Sequence, residues 1–363
     1  MKVAIHNSAR ELRGSERQTL LIAEGLLKRG HEVVVSCDPD APLWDALLRA
    51  GVRTSAVRPR GDLDAWNLAR FVLWLRRERP DALLLATWNR IPTAALAGRL
   101  AGVPRVVVRL GIPRRIGKSR LLHLAFRRGV DALIVNSPDV RDRWTAATPG
   151  IPPGGVHLVL NAVQPLDPGP RRLHAELGVP PGTRLVVSAG GLEERKGFDV
   201  LLDAFARLGE RRAWLVIAGD GPDAPALRRQ ADRLGLEGRV RFLGQRRDMP
   251  EVLASADVFV LASRKDSLAN VMLEAMSLGV PVVATDTGGV PLALGGEPPA
   301  GWVVPVREPD ALAGALGRLL DTLDSAPAEV SARTEEAQRR IREWFSVERM
   351  VDGVEAVLRP EAP

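Results

Sequence analysis

Two carboxylates eight positions apart, Asp266 and Glu274, and one of the few lysines, Lys196, are the side chains best suited by type and spacing to act on a ligand. Asp257–Ala262 is an apolar run rich in Val and Phe, as in a buried strand. A polar loop, Ser263–Ser267, follows, then a helix-like segment, Leu268–Leu278, and a second buried strand, Pro281–Ala284. Such a strand–loop–helix–strand unit places the loop and the helix N-terminus at the carboxyl end of a parallel sheet, where open α/β sheets bind ligands. Asp266, in the loop, and Glu274, in the helix, can address different parts of one extended ligand. The main-chain N–H groups of Leu268, Ala269 and Asn270 suit a phosphate. Lys196 follows the pair Gly190-Gly191 at a helix start, where an ammonium can meet a phosphate as a point charge. A plainer reading fits the same spacing: Asp266 or Ser267 caps the helix, Glu274 is solvated, and Lys196-Gly197 is a surface turn.

The elements that must position these groups repeat through the chain. In the first half, strand patterns at Val3–Ile5, Glu32–Ser36, Arg53–Val57, Ala82–Ala86, Arg105–Val108 and Ala132–Val135 alternate with amphipathic stretches. The second half repeats the rhythm, with strands at Arg184–Ala189, Trp214–Ala218, Val240–Leu243, Val258–Ala262, Pro281–Ala284 and Trp302–Val304. Alternation of this kind predicts βαβ units, right-handed crossovers and two parallel sheets. The Pro- and Gly-punctuated stretch Gln164–Pro170 reads as the linker, giving domains of residues 1–164 and 165–345, with a helical pattern over Glu335–Leu358 at the end. A length of 363 residues, 45% of them hydrophobic, agrees with two cores. No run approaches the ~18 apolar residues of a membrane span. Cys37 is the only cysteine, so a cytoplasmic, reducing location is expected.

The net charge of +7 is unevenly spread. Residues 1–164 hold 26 Lys/Arg against 14 Asp/Glu, and residues 165–363 hold 25 against 30. Residues 82–130 contain no acid and ten basic residues, which implies an anionic partner or an arginine-rich solvated face. Within it, Leu121, Leu122, Leu124 and Phe126 sit among the basic residues of Arg114–Arg128, a composition suited to an anionic membrane surface. A buried helix with a basic rim fits as well. No nucleic-acid reading module is recognisable. Residues 6–17 lack the Gly-x-Gly-x-x-Gly of a nicotinamide dehydrogenase, and no Ser-His-Asp set, HExxH or Walker loop is present. Asp38-Pro39-Asp40 is an Asp-x-Asp, a metal motif in some transferases, but reads better as a turn before the helix at Leu43.

The stretch from Asp266 to Val283 resembles the donor-site signature of retaining glycosyltransferases of family four, which have the GT-B fold. That family carries Glu, seven residues, Glu, then Ala-Met and a Gly-x-Pro-Val-Val strand. Here Asp266 stands for the first Glu, and Glu274, Ala275, Met276, Gly279, Pro281, Val282 and Val283 match. Lys196-Gly197, the Gly219-Asp220-Gly221-Pro222 turn, the strand Val240–Gly244 and Gly30-His31-Glu32-Val33 are also similar. The resemblance covers nearly the whole chain and implies an α/β GT-B architecture, two Rossmann-like domains whose parallel sheets face a central cleft. Its terminal helix, about 346–363, is expected to cross back to the first domain.

What the resemblance implies about chemistry is retaining, metal-independent transfer of a sugar from a UDP- or GDP-linked donor to an acceptor hydroxyl. No cofactor and no metal are expected, the nucleotide sugar being a co-substrate. Lys196 is expected on the diphosphate, Glu274 on the ribose hydroxyls and Asp266 on the sugar hydroxyls. Gly14, Gly191, Arg195, Gly219, Gly244, Gln245, Arg246, Leu268, Ala269 and Asn270 complete the expected donor site. His6, Asn7, Arg13, Trp88, Asn89 and Arg109 are placed on the acceptor side. Departures are Gly191 for the family's Arg, Arg13 for its first Gly, Arg109 for a His near the sugar, and Leu292 for a Glu. Arg195 stands ready to replace the missing Arg. The acceptor is expected to be lipid-linked or otherwise anionic, at the inner face of a membrane. A GT-B sugar-nucleotide epimerase and a non-catalytic nucleotide-sugar binder are the alternatives.

Overall fold

The computed structural model describes residues 1–59, 64–88, 90–111, 120–147 and 154–359. It divides into two compact units, Met1–Ala162 with Ser346–Pro363, and Val163–Phe345.

In the first unit the strands are β1 (Lys2–His6), β2 (Glu32–Ser36), β3 (Arg53–Ser55), β4 (Ala82–Leu85), β5 (Arg105–Leu110), β6 (Ala132–Val135) and β7 (Val156–Leu158). They form one parallel sheet in the order β3-β2-β1-β4-β5-β6-β7. The helices between them are α1 (Gly14–Lys28), α2 (Pro42–Arg49), α3 (Ala65–Glu78), α4 (Ile91–Ala101), α5 (Arg120–Gly129) and α6 (Pro138–Ala147). In the second unit, α7 (Leu173–Leu177) precedes β8 (Arg184–Ala189), α8 (Phe198–Ala206), β9 (Ala213–Ala218), α9 (Ala224–Arg233), β10 (Val240–Gly244) and α10 (Met249–Ala254). There follow β11 (Val258–Leu261), α11 (Asn270–Ser277), β12 (Val282–Thr285), α12 (Val290–Leu294), β13 (Trp302–Val304), α13 (Pro309–Ser325) and α14 (Pro327–Trp344). Its sheet is also parallel, ordered β10-β9-β8-β11-β12-β13. The last helix, α15 (Val347–Leu358), belongs to the first unit.

The strands read as continuous apolar runs because both faces of each sheet are covered. In the first unit Val3, Ile5, Val107 and Ile134 pack under α1, α2 and α15, while Ala4, Leu83, Val106 and Leu133 pack under α3 to α6. The apolar face of α15, Met350, Val351, Val354, Val357 and Leu358, joins the first of these layers beside Ile22 and Leu26. Burying five such side chains stabilises the fold by about 10 kcal/mol before chain entropy is set against it.

The pattern expected over Glu335–Leu358 is two helices, broken at Phe345 and Ser346. Phe345 is fully buried, and Ser346 caps α15 by accepting the Arg349 N–H (3.3 Å). The edge strand β7 and the short helices α7 and α12 lie outside the segments expected from periodicity. Among the described residues, no helix is long and apolar enough to cross a membrane.

Both sheets carry the same topological feature. In each, the first strand of the sheet has its next strand on one side and a later strand on the other: β1 between β2 and β4, β8 between β9 and β11. The chain therefore winds outward in both directions and leaves a crevice at the carboxyl ends of β1/β4 and β8/β11, the place where open α/β sheets take ligands.

Candidate functional site

In the second unit, Lys196 and Asp266 meet at that crevice. Lys196 comes from the loop after β8, and Asp266 from the loop after β11, strands that pair directly. The Lys196 ammonium is ion-paired with Asp266 Oδ2, and the two side chains are only 12% and 10% exposed. Main-chain bonds fasten the two loops: the N–H groups of Arg264 and Lys265 both donate to Arg195 O (2.9 and 3.1 Å). Gly197 makes this approach possible. Its φ is +65°, and a Cβ there would stand 2.1 Å from Ala262 O, so no other residue type fits without moving β11.

The loop after β12 closes the other side. Asp266 N–H donates to Thr287 Oγ1 (3.4 Å), Gly289 N–H to Ser267 O, and Ser267 N–H to Asp266 Oδ1 (3.0 Å). Gly288, with φ +59°, has the Ser267 and Asp266 carbonyl oxygens 2.2 and 2.3 Å from its missing Cβ. Three loops thus hold one carboxylate, whose Oδ1 accepts a main-chain N–H and whose Oδ2 accepts an ammonium. Arg264 adds a clamp, with Nη1 donating to Asp199 Oδ1 and Glu194 O (both 2.7 Å). No feature of the sequence marked the Arg264–Asp199 pair.

The remaining donor-side residues fall into several groups. Glu274 is half-buried in the second turn of α11; Asn270 opens that helix, with Leu268 and Ala269 buried just before it. Gly191 and Gly219 lie just past β8 and β9, Gly244 ends β10, and their loops are stitched together. Leu192 N–H donates to Asp220 O (2.9 Å), and Gly219 N–H to Gly244 O (2.7 Å). Gln245 is exposed beside them. The two arginines are engaged elsewhere. Arg195 Nε donates to Glu193 Oε2 (2.8 Å), and Arg246 forks onto Asp248 (2.6 Å) and Glu176 (3.1 Å). Those two carboxylates hold the Arg246 guanidinium above its usual pKa and are themselves held below theirs by its hydrogen bonds.

In the first unit the corresponding crevice joins Ser8 and Thr87, whose hydroxyls lie 3.0 Å apart. Asn7 is buried and donates through Nδ2 to Thr19 Oγ1 (3.0 Å). His6 is buried edge-on against Phe71, with Nδ1 3.2 Å from Ser36 Oγ; burial pushes its pKa down to about 4, so it is neutral at pH 7. Arg13 is the N-cap of α1 and Gly14 its first residue, with Arg13 N–H donating to Glu16 Oε2 (3.1 Å). Trp88 is half-buried on Trp144, the ring centroids 5.9 Å apart. Arg109 is buried at the end of β5. Asn89, Arg114, Arg115 and Lys118 lie outside the described residues. Phe126 is fully buried against Trp144, as the alternative of a buried helix with a basic rim expects, whereas Leu124 is exposed. Asp38 accepts from Arg58 (2.8 Å) and turns the chain through the Asp40 N–H (3.2 Å), as expected of a turn.

A two-sheet α/β protein with its polar side chains gathered at paired switch points is a GT-B architecture, and comparison with known proteins agrees. Residues 183–322 match the model described as "Glycosyl transferases group 1" and residues 12–165 that of "Glycosyltransferase Family 4". The lipopolysaccharide core biosynthesis glycosyltransferase LpsE of Rhizobium meliloti is 32% identical over 343 residues, 90% of this chain and 89% of that protein. The D-inositol 3-phosphate glycosyltransferase of Saccharomonospora viridis is 31% identical over 85% of this chain and 72% of its own length. The crystal structure of Anabaena Alr3699/HepE in complex with UDP and glucose superposes with a TM-score of 0.84 over 99% of both chains at 22% identity. The chain belongs to the group 1 glycosyltransferases and is a glycosyltransferase of GT-B fold.

Proposed function

We propose that the protein transfers a sugar from a nucleoside-diphosphate sugar to an acceptor hydroxyl with retention at the anomeric carbon and without a divalent metal. The observation that carries this reading is the ion pair at the β8/β11 crevice: an ammonium and a carboxylate, both shielded from water, fixed by three loops beside the start of α11. A breaking glycosidic bond delivers negative charge to the leaving diphosphate. Lys196 and the N-terminal end of α11 can stabilise that charge. Asp266 then addresses the sugar, and Glu274 the ribose. A relative named for lipopolysaccharide core synthesis and a fold neighbour crystallised with UDP and glucose support the donor class and a glycan or lipid-linked acceptor. The test is a thermal-shift screen of nucleotide sugars followed by turnover assays with and without EDTA. A ligand at 100 times its Kd should stabilise by ~2.7 kcal/mol. Failure of every UDP- and GDP-sugar to stabilise the protein, or activity abolished by EDTA and restored by Mn²⁺, overturns the reading.

A second feature supports acceptor delivery from an anionic membrane. Trp66 and Leu73 on α3, Leu96 and Leu100 on α4 and Leu124 on α5 are each at least 47% exposed. Exposed Arg70, Arg77, Arg127 and Arg128 lie on the same helices. Glu78, the acid on α3, is taken up by Lys2 (2.9 Å) and Arg53 (3.1 Å). Apolar groups interleaved with unneutralised cations suit a bilayer of anionic lipid. Sedimentation with phosphatidylglycerol vesicles should carry the protein down at low salt and much less at high salt. Equal recovery in the supernatant with and without vesicles removes the membrane from the proposal.

A further inference from the structure

Arg109 projects from the carboxyl end of β5 toward the α1/α15 layer and is only 5% exposed. A guanidinium buried to that degree is ordinarily paired with a carboxylate, because an uncompensated charge out of water carries a desolvation penalty of several kcal/mol. Among the described residues Arg109 has no ion pair. Its Nη2 donates to the side-chain amide of Asn161 (Oδ1, 2.7 Å), and its buried Nε has no partner. Burial alone pushes its pKa down, to about 10, and leaves it charged at pH 7.

The neutral group that holds it is itself fixed. Asn161 Oδ1 also accepts from Asn136 Nδ2 (3.2 Å), which assigns the amide orientation. The next residue, Ala162, is gripped on both main-chain atoms by Gln18 of α1: Gln18 Nε2 donates to Ala162 O (2.8 Å) and Ala162 N–H donates to Gln18 Oε1 (2.9 Å). Asn136 and Asn161 follow β6 and β7, so the cluster stands on the carboxyl-terminal rim of the first sheet, the ligand-binding edge of the architecture. An amide orients the guanidinium without spending its charge, and Nε, itself buried, keeps an unused N–H. That is a preorganised cation, the arrangement that suits a planar or tetrahedral oxyanion.

We infer that Arg109 is a specificity-determining residue that binds a phosphate or carboxylate group carried by the acceptor. The inference rests on the reading of the first unit as the acceptor side. It selects an anionic acceptor over a neutral one, through a single buried fork and not through surface charge.

The test uses the whole 363-residue chain with inorganic phosphate as the probe, followed by thermal shift and calorimetry, with UDP titrated separately. Phosphate should raise the Tm of the wild type. In Arg109→Met its Kd should rise at least tenfold, while the UDP Kd stays within twofold. Arg109→Met should melt no lower than wild type in phosphate-free buffer, since it removes a buried charge that no acid neutralises. Should that variant fold poorly, Arg109→Lys, which keeps the charge and loses the fork, should give a phosphate affinity below wild type. An undiminished phosphate response in either variant overturns the inference, as does the absence of any response in the wild type. A loss confined to UDP assigns the group to the donor diphosphate and also overturns it. Phosphate binding needs no sugar transfer, so a failed transferase reading and a failed anion site give different results.

Discussion

The Lys196–Asp266 pair is open to a quantitative test. Each side chain is about nine-tenths buried, and the loops around it are pinned by main-chain bonds, so neither charge can easily turn to water when its partner is removed. Asp266→Ala strands an ammonium and should destabilise the second unit by about 2–3 kcal/mol, below the ~3–5 of a fully buried pair because some solvent remains. Lys196→Met leaves a carboxylate that still accepts the Ser267 N–H, and should cost about 1–2 kcal/mol. The double variant removes both charges and should lose no more than about 1–2 kcal/mol, giving a coupling energy of about 1–4 kcal/mol. Because the chain has two units, a single global unfolding curve would blend them. Native-state hydrogen exchange read over residues 190–200 and 260–290 isolates the region concerned. A coupling below about 0.5 kcal/mol would refute the view that this pair locks the crevice. The same geometry sets a rivalry: a donor diphosphate must compete with Asp266 for one ammonium. Asp266→Asn should therefore tighten UDP up to about tenfold, ~1.4 kcal/mol, while turnover with the sugar donor falls. Weaker UDP binding in that variant would argue that Lys196 does not face the diphosphate.

The other expectations concern separate residues. Asp266→Glu restores the family's residue and lengthens the carboxylate by one methylene, so the ratio of turnover between two donor sugars should change, whereas Glu274→Gln should weaken all donors alike. Gly197→Ala or Gly288→Ala forces a Cβ to about 2 Å from a carbonyl oxygen at positive φ. Each should destabilise by more than about 2 kcal/mol, read from the melting temperature. His6 has a folded pKa of about 4 against an unfolded value near 6.5, so the unfolded chain takes up a proton first as pH falls. The first unit should lose about 2 kcal/mol between pH 7 and pH 5, and His6→Phe should flatten that part of the stability profile measured by urea titration.

What was legible in the sequence follows from which forces are local. β4 (ALLL) and β11 (VFVL) are buried on both faces, so their apolar character stands out against any neighbour. β7, three half-buried residues at a sheet edge, carries no such signal. The break between α14 and α15 escapes periodicity because neither Pro nor Gly marks it: helix-forming residues run on both sides, and the chain turns where Phe345 enters the core of one unit and Ser346 caps the helix that joins the other. The site divides in the same way. Asp266 and Lys196 could be singled out because each sits at a predictable strand or helix end, and Glu274 by its spacing from Asp266. Their partners could not. Lys196 and Asp266 are 70 residues apart in sequence and meet because β11, not β10, lies beside β8, a consequence of winding direction and not of composition. Arg109 shows the converse. Its position at a strand end was readable, but its meaning depends on what surrounds it, an amide where an acid would ordinarily stand. In a chain this rich in arginine, charge by itself distinguishes nothing. A buried arginine held by a neutral partner is set apart from the rest by its environment, which is why structure is required to find it.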